Sequence, residues 1–222
     1  MLTPLQRKVA ELIAGLDAAE RFGLAGGAAM ILLGDVDRQT QDLDFFGLDS
    51  SDVQRLVPAA EEALRAAGFE VRRLQDGLSF VRMSVEDSGE VVEVDLAADA
   101  RLFPLETEGG LPVLSRPELA VDKVLAVFGR AEARDFVDLA SVIDQFGLEK
   151  LFRLASEKDP GFSIEVFEEM LGRFGRLRPE EFGLPTERYR DLRFQVDSWR
   201  SQALELARGI GREIGFDQGW DC

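Results

Sequence analysis

The sequence predicts an α/β (α+β) fold, in which a β-sheet flanked by helices is followed by a helical C-terminal region. Apolar residues recur at helical spacing towards both ends of the chain, whereas residues 69–96 alternate between apolar and polar side chains. The 222 residues are enough to bury a sizeable core. We therefore expect an α/β core over residues 1–112 and a helical region over residues 113–222.

The elements follow from local signals. Thr3 and Pro4 are typical of a helix start, and apolar residues at helical spacing follow to Leu16. The next predicted elements are a short helix over 28–33, a strand over 42–46, and a helix that residues 50–52 cap and that ends at Gly68. Strands are predicted over 69–72, 78–85 and 91–96, with a hairpin turn at 86–89 and a loop over 97–112. The remaining helices are predicted over 115–130, around 134–138, and over 148–157, 164–174 and 186–208.

Composition excludes several kinds of chemistry. The chain has no histidine, and its one cysteine is Cys222. Catalysis by Ser-His-Asp or Cys-His groups, histidine metal sites and intramolecular disulfides are therefore excluded. Carboxylates, lysine and a bound metal remain as the available chemical groups.

A net charge of −16 disfavours non-specific binding to nucleic acid. An RNA substrate would need a local basic surface, for which the C-terminal part offers several arginines, although such residues are more often surface ion pairs. These arginines are Arg173, Arg176, Arg178, Arg188, Arg190, Arg193 and Arg200. The chain shows neither an apolar run of spanning length nor a charged-then-apolar leader, so we expect a cytoplasmic protein with no membrane partner.

Gly26 and Gly27 precede the predicted helix over 28–33. A helix start presents free backbone N–H groups to anions, and glycine lets the backbone approach a ligand closely. The pair is a candidate phosphate-binding turn, although a Gly-Gly pair is also a common plain turn.

Asp42 and Asp44 lie one residue apart in a predicted strand. Alternation places both carboxylates on one face, where hard oxygen ligands of this kind suit Mg²⁺. On the strand over 91–96, Glu93 and Asp95 share a face in the same way. Asp95 would complete a cluster of three acids if the two strands are neighbours; otherwise these acids are solvated side chains of a half-exposed strand.

The predicted helices after residue 115 carry further candidates. Lys123 lies among apolar residues, where it either extends its ammonium group to water or binds phosphate as a point charge. Asp135 and Asp138 are three residues apart on one helical face beside Arg134, a pattern that is also common in plain surface charge.

Four segments taken in order resemble a known family. They are residues 24–29 (LAGGAA) with 40–46 (TQDLDFF), 92–95 (VEVD), 120–126 (AVDKVLA) and 133–139 (ARDFVDL). Together they resemble the nucleotidyltransferase-type toxins of abortive-infection systems, the AbiEii/AbiGii type, over residues 20–145. Ordered agreement of several motifs is more specific than any single motif.

The resemblance implies the fold of the polymerase-beta-like nucleotidyltransferases, a small mixed sheet flanked by helices and followed by a helical region. It implies that Gly26 and Gly27 bind the triphosphate of a nucleoside triphosphate (NTP), and that Asp42 and Asp44 bind Mg²⁺. Asp95 would bind a second metal ion and assist deprotonation of the acceptor hydroxyl. The same resemblance implies that Thr40, Lys123, Arg134 and Asp138 bind the nucleotide, and that Lys123 and Asp135 also contribute to catalysis.

Three hypotheses about function remain. The leading one is an Mg-dependent nucleotidyltransferase that moves a nucleoside monophosphate (NMP) from an NTP to an acceptor hydroxyl, as the toxin of a toxin–antitoxin or abortive-infection system. Its expected partners are an NTP, an RNA acceptor such as tRNA, and a cognate antitoxin protein. The alternatives are a transferase acting on a small-molecule acceptor, or a degenerate nucleotide-binding or protein-interaction module.

Overall fold

A computed structural model of the protein describes residues 1–216, with side chains to residue 208, so that Cys222 lies outside the described residues. The chain forms two compact units, Met1–Leu119 and Ala120–Cys222. The predicted domains, divided after residue 112, stay a prediction.

The first unit is built on a seven-stranded sheet with the order β3-β4-β5-β2-β1-β7-β6. Its strands are β1 (Gly23–Ala25), β2 (Asp42–Gly47), β3 (Glu70–Asp76), β4 (Phe80–Asp87), β5 (Glu90–Ala98), β6 (Glu106–Glu108) and β7 (Leu111–Val113). Strands β2 and β5 pair in parallel, as do β1 and β7, while the other pairs are antiparallel. The predicted fold, a mixed sheet flanked by helices, is confirmed.

Helices α1 (Pro4–Ala14), α2 (Gly26–Leu32) and α3 (Ser50–Ala66) belong to the same unit. The predicted start of α1 is confirmed, because the Thr3 hydroxyl accepts a hydrogen bond from the Gln6 N–H and Gln6 Oε1 accepts one from the Thr3 N–H. The cap predicted at residues 50–52 is wrong by one residue. Asp49 caps α3, since its carboxylate accepts the Asp52 N–H at 3.0 Å.

The two faces of the sheet differ sharply in polarity. On β2 and β5, side chains such as Leu43, Phe45 and Val94 are fully or almost fully buried, and α3 packs against both strands. The alternate residues of these strands, Asp42 and Asp44 among them, point to the opposite face. The buried apolar residues on one face of β2 and β5 thus hold the carboxylates of the opposite face in place.

Three short strands were not predicted, namely β1, β6 and β7. Each has three residues, and all three residues of β1 are buried, so that no alternation of polarity marks it in the sequence. At one edge of the sheet, β3 is mostly exposed, carries charged residues and has an irregular register between Arg73 and Gln75.

The remaining helices are α4 (Arg116–Gly129), α5 (Ala133–Phe146), α6 (Leu148–Lys158), α7 (Ile164–Leu171) and α8 (Thr186–Phe216). The helix predicted over 164–174 ends early, and a 3-10 helix, Gly172–Arg176, follows α7. Within residues 1–216, we find no helix with the length and apolar character needed to span a membrane.

We predict that Leu43→Ala will lower the free energy of unfolding by about 2–5 kcal/mol, because Leu43 is fully buried between the two aspartates of β2. Leu74→Ala is the matched control, since Leu74 is 54% exposed on β3 and should change stability by less than about 0.5 kcal/mol. Urea unfolding followed by circular dichroism measures both. Equal effects of the two substitutions would contradict the assignment of the buried face.

Candidate functional site

Four carboxylates lie on one face of two neighbouring strands. In the parallel pairing of β2 with β5, Asp42 is in register with Glu93 and Asp44 with Asp95. Residues in register on neighbouring strands project to the same face of the sheet. Asp95, about fifty residues further along the sequence, therefore shares one face with Asp42 and Asp44. We call this the acidic face and define it as Asp42, Asp44, Glu93 and Asp95.

The Gly-Gly turn directs its first glycine at this acidic face. Gly26 has φ +57°, and a Cβ built on it would overlap Asp44 Oδ2. β1 lies antiparallel to β2 and pairs Ala25 with Asp44, which explains why the turn and the carboxylate meet. A residue with a side chain would be strained by the backbone conformation and would displace Asp44.

The second glycine lies beside two polar side chains. A Cβ on Gly27 would come within 2.7 Å of Arg38 Nη2 and 3.1 Å of Thr40 Oγ1. The Thr40 hydroxyl in turn donates to Asp42 Oδ1 at 2.5 Å. The structure thus places Thr40 beside both the glycines and the acids. Arg38 was not predicted as a site residue, although its spacing, two residues before Thr40 and four before Asp42, could have indicated it.

Arg82 on β4 is a second residue that the sequence did not reveal. It lies directly opposite Asp95 in the antiparallel pairing of β4 with β5. Its Nε donates to Asp95 Oδ1 at 2.7 Å and its Nη2 donates to Asp95 Oδ2 at 2.6 Å. These hydrogen bonds, followed by the charges of Asp95, Glu93 and Asp42, raise the pKa of Arg82. Only the strand pairing reveals this contact, because Arg82 resembles any other polar residue of an alternating strand.

The acidic face offers ligand atoms that suit a divalent cation. Its donors are carboxylate oxygens, the hard ligands that Mg²⁺ prefers, and Mg²⁺ needs only one or two carboxylates when phosphate and water supply the rest. Asp42 and Asp44 meet this requirement. Among residues 1–216, no three Asp, Glu, His or Cys side chains are grouped so as to hold a metal ion. The role of Asp95 as a metal ligand stays a prediction.

The candidates in the helical unit form ion pairs within that unit. Lys123 Nζ lies 2.9 Å from Asp138 Oδ2, and both side chains are buried, with exposed fractions of 8% and 0%. Lys123 therefore does not extend to water, which was one of the two expectations for it. Its neighbour Asp122 pairs with Lys158 of α6 at 2.5 Å.

Asp135 has contacts that explain its burial by local structure. Both its oxygens accept hydrogen bonds from Arg130 at 2.9 Å, and Oδ2 also accepts the Glu132 N–H at 3.0 Å at the start of α5. An acid in the first turn of a helix is also favoured by the helix dipole. Arg134 is half-exposed and donates to Glu132 at 3.1 Å. The predicted roles of Asp135 and Arg134 in catalysis and nucleotide binding stay predictions.

A mixed sheet that carries paired aspartates beside a glycine turn fits the nucleotidyltransferase fold that the sequence resemblance implies. The model of one family, the nucleotidyl transferase AbiEii toxins of type IV toxin–antitoxin systems, matches residues 11–213. The chain belongs to this family, which indicates nucleotidyltransferase activity and confirms the resemblance inferred from the sequence.

Two solved structures from Helicobacter pylori share the fold. The protein JHP933 is 15% identical with a TM-score of 0.53, over 98% of this chain and 100% of its own. A candidate nucleotidyltransferase is 14% identical with a TM-score of 0.54, over 92% of this chain and 95% of its own. At these identities the similarity concerns the fold alone. No curated protein matches the chain.

We predict that Gly26→Ala will lower the free energy of unfolding by more than Gly34→Ala does. Both glycines have a positive φ, but a Cβ on Gly34 meets nothing within 4 Å, whereas a Cβ on Gly26 meets Asp44. Gly34→Ala should therefore cost only the backbone strain, about 1–2 kcal/mol. Urea unfolding of both variants measures the difference, and equal losses would show that Asp44 does not press against the turn.

We also predict that Lys123→Met and Asp138→Asn will each destabilise the protein by about 3–5 kcal/mol, because each leaves one member of a buried ion pair without its partner charge. Lys123→Met/Asp138→Asn should regain much of that loss, because neither partner then carries a charge. Urea unfolding of the four proteins forms a double-mutant cycle, and additive losses would contradict a direct pair.

Proposed function

We propose that the protein is an Mg²⁺-dependent nucleotidyltransferase that transfers an NMP from an NTP to an acceptor hydroxyl. The observation that carries this proposal is the packing of the Asp44 carboxylate against Gly26. It joins a turn suited to phosphate with a pair of carboxylates suited to a divalent cation. Membership of the AbiEii family supports the reaction type.

The triphosphate is proposed to bind at the start of α2. The first backbone N–H groups of a helix have no partner within the helix, and Ala25, which precedes Gly26, provides no side-chain cap. Arg38 and Thr40 lie over Gly27 and add a positive charge and a hydroxyl at the same place. Together these groups would bind and orient an anionic chain of phosphates.

Asp42 and Asp44 are proposed to hold the Mg²⁺ ion. When bound, the ion neutralises phosphate charge and stabilises the attacking and leaving oxygens of an in-line displacement. The chain contributes position: Asp42 is fixed by its hydrogen bond from Thr40, and Asp44 by its contact with Gly26. The paired strands β2 and β5, whose apolar side chains are buried on the opposite face, keep both carboxylates in place.

Lys123, Arg134, Asp135 and Asp138 enter the proposal on the family resemblance alone. The contacts described for them join residues of the helical unit. An NTP as substrate and a cognate antitoxin as partner are proposed from the description of the family as toxins of type IV toxin–antitoxin systems. An RNA acceptor such as tRNA is proposed from the family resemblance, and a cytoplasmic location is proposed from the sequence.

We expect the purified protein to transfer label from an α-labelled NTP to an acceptor in total cellular RNA when Mg²⁺ is present. Asp44→Asn should lower the rate at least about 100-fold, because it removes a charge on which metal and phosphate binding depend. Glu90→Gln is the matched control, since Glu90 is an exposed acid at the start of β5 and its replacement should leave the rate unchanged. The assay is a gel that resolves labelled RNA.

Labelling of a small hydroxylated or aminated molecule, with RNA left unlabelled, would replace the RNA acceptor by the small-molecule alternative. Failure to bind or transfer any of the four NTPs would contradict the enzymatic proposal itself. Growth arrest on expression that persists in Asp44→Asn would instead favour a protein-interaction module.

A further inference from the structure

Gln6 is a polar residue on the buried face of α1. The residue is only 5% exposed. The other side chains on this face are apolar and buried, namely Leu5, Val9, Ala10 and Ile13. Helical spacing alone would favour an apolar side chain at the position of Gln6. A buried amide is costly unless its donor and its acceptor both find partners, so the contacts of Gln6 explain how a glutamine can lie there.

The side-chain amide of Gln6 makes two hydrogen bonds. Its Oε1 accepts the Thr3 N–H at 2.9 Å, within the capping box that begins α1. Its Nε2 donates to the backbone carbonyl oxygen of Thr40 at 2.7 Å, across 34 positions of the sequence. The bond from Thr3 fixes the orientation of the amide, because a backbone N–H must face the amide oxygen. The NH₂ group is therefore directed at Thr40.

Thr40 connects this contact to the acidic face. It lies two residues before Asp42, and its hydroxyl donates to Asp42 Oδ1 at 2.5 Å. A hydrogen bond to the carbonyl oxygen of Thr40 restricts the backbone there, and so restricts where the hydroxyl of the same residue can lie. Two hydrogen bonds joined through Thr40 thus lead from α1 to the Asp42 carboxylate.

We propose that Gln6 is a positioning residue of the site. By holding the Thr40 carbonyl it keeps the Thr40 hydroxyl, and through it the Asp42 carboxylate, in the arrangement that binds the divalent cation. The inference rests on the proposed function, in which Asp42 is a metal ligand. Gln6 lies before residues 11–213, which the family model matches, so membership of the family gives it no role.

The test measures binding of Mn²⁺ to the full chain, independently of any transfer reaction. Free Mn²⁺ is followed by electron paramagnetic resonance in the presence of a non-hydrolysable NTP analogue. Gln6→Met keeps nearly the same side-chain size but removes the donor to Thr40. It should weaken Mn²⁺ binding about tenfold, the scale of loss that follows when the partners of a metal ligand are removed.

Thr3→Ala is the matched control. It removes the hydroxyl that accepts the Gln6 N–H in the same capping box, but it leaves the bond between Gln6 and Thr40 in place. It should therefore weaken the start of α1 and leave Mn²⁺ binding unchanged. Urea unfolding compares the stability of the two variants. Gln6→Asn, whose amide is one methylene too short for the same pair of contacts, replaces Gln6→Met if that variant does not fold.

A double-mutant cycle shows whether Gln6 acts through Thr40. Thr40→Val removes the hydroxyl that contacts Asp42 and should weaken Mn²⁺ binding at least as much as Gln6→Met does. Gln6→Met/Thr40→Val should bind Mn²⁺ no more weakly than Thr40→Val alone, because the position of a missing hydroxyl has no effect. A role of Gln6 in general stability would instead give additive losses.

Equal Mn²⁺ binding by folded Gln6→Met and Thr3→Ala would overturn the inference and leave the proposed nucleotidyltransferase intact. Additive losses in the cycle would overturn it as well, since Gln6 would then not act through the Thr40 hydroxyl. Failure of the unaltered protein to bind Mn²⁺ with the analogue would overturn the proposed function, and this inference with it.

Discussion

The close packing of Asp44 against Gly26 is the constraint on which the rest of the site depends. It exists because β1 and β2 are antiparallel neighbours, so that the end of β1 and the turn into α2 lie beside the middle of β2. The same pairing leaves room for no side chain at Gly26. The proposed phosphate-binding turn and the proposed metal ligand Asp44 are therefore held next to each other by backbone geometry.

The sequence predicted which residues form the acidic face, but it did not predict the charged partner of Asp95. Alternation correctly placed Asp42 with Asp44 and Glu93 with Asp95, because each strand is half-buried and its apolar residues identify the inner face. The sequence did not show that β2 and β5 are neighbours, so the prediction of a shared cluster was conditional on it, and their parallel pairing was not predicted. The partner of Asp95 was not visible at all, because Arg82 and Asp95 are thirteen positions apart and only the register of the hairpin brings them together.

A related limit applies to the helical unit. Helical spacing predicted that Asp135 and Asp138 lie on one face of a helix, but it did not predict which cations they meet. Asp138 pairs with Lys123 and Asp135 with Arg130, and both acids are fully buried. The Lys123–Asp138 pair is buried on both sides, and such a pair is costly to break yet contributes modest net stability, whereas Arg130 is half-exposed. The Lys123–Asp138 pair joins α4 to α5 and so restricts the position of one helix against the other.

The exposed edge strand β3 has a consequence for how copies of this protein behave together. Arg73 pairs with Glu61 at 2.6 Å and with Asp76 at 3.0 Å, and the register of β3 is irregular just after it. Charged side chains and a break in the regular hydrogen-bonding pattern are the means by which natural sheets prevent strands of other molecules from adding to their edge. A seven-stranded sheet can therefore end in water here without acting as a template for aggregation when the protein accumulates.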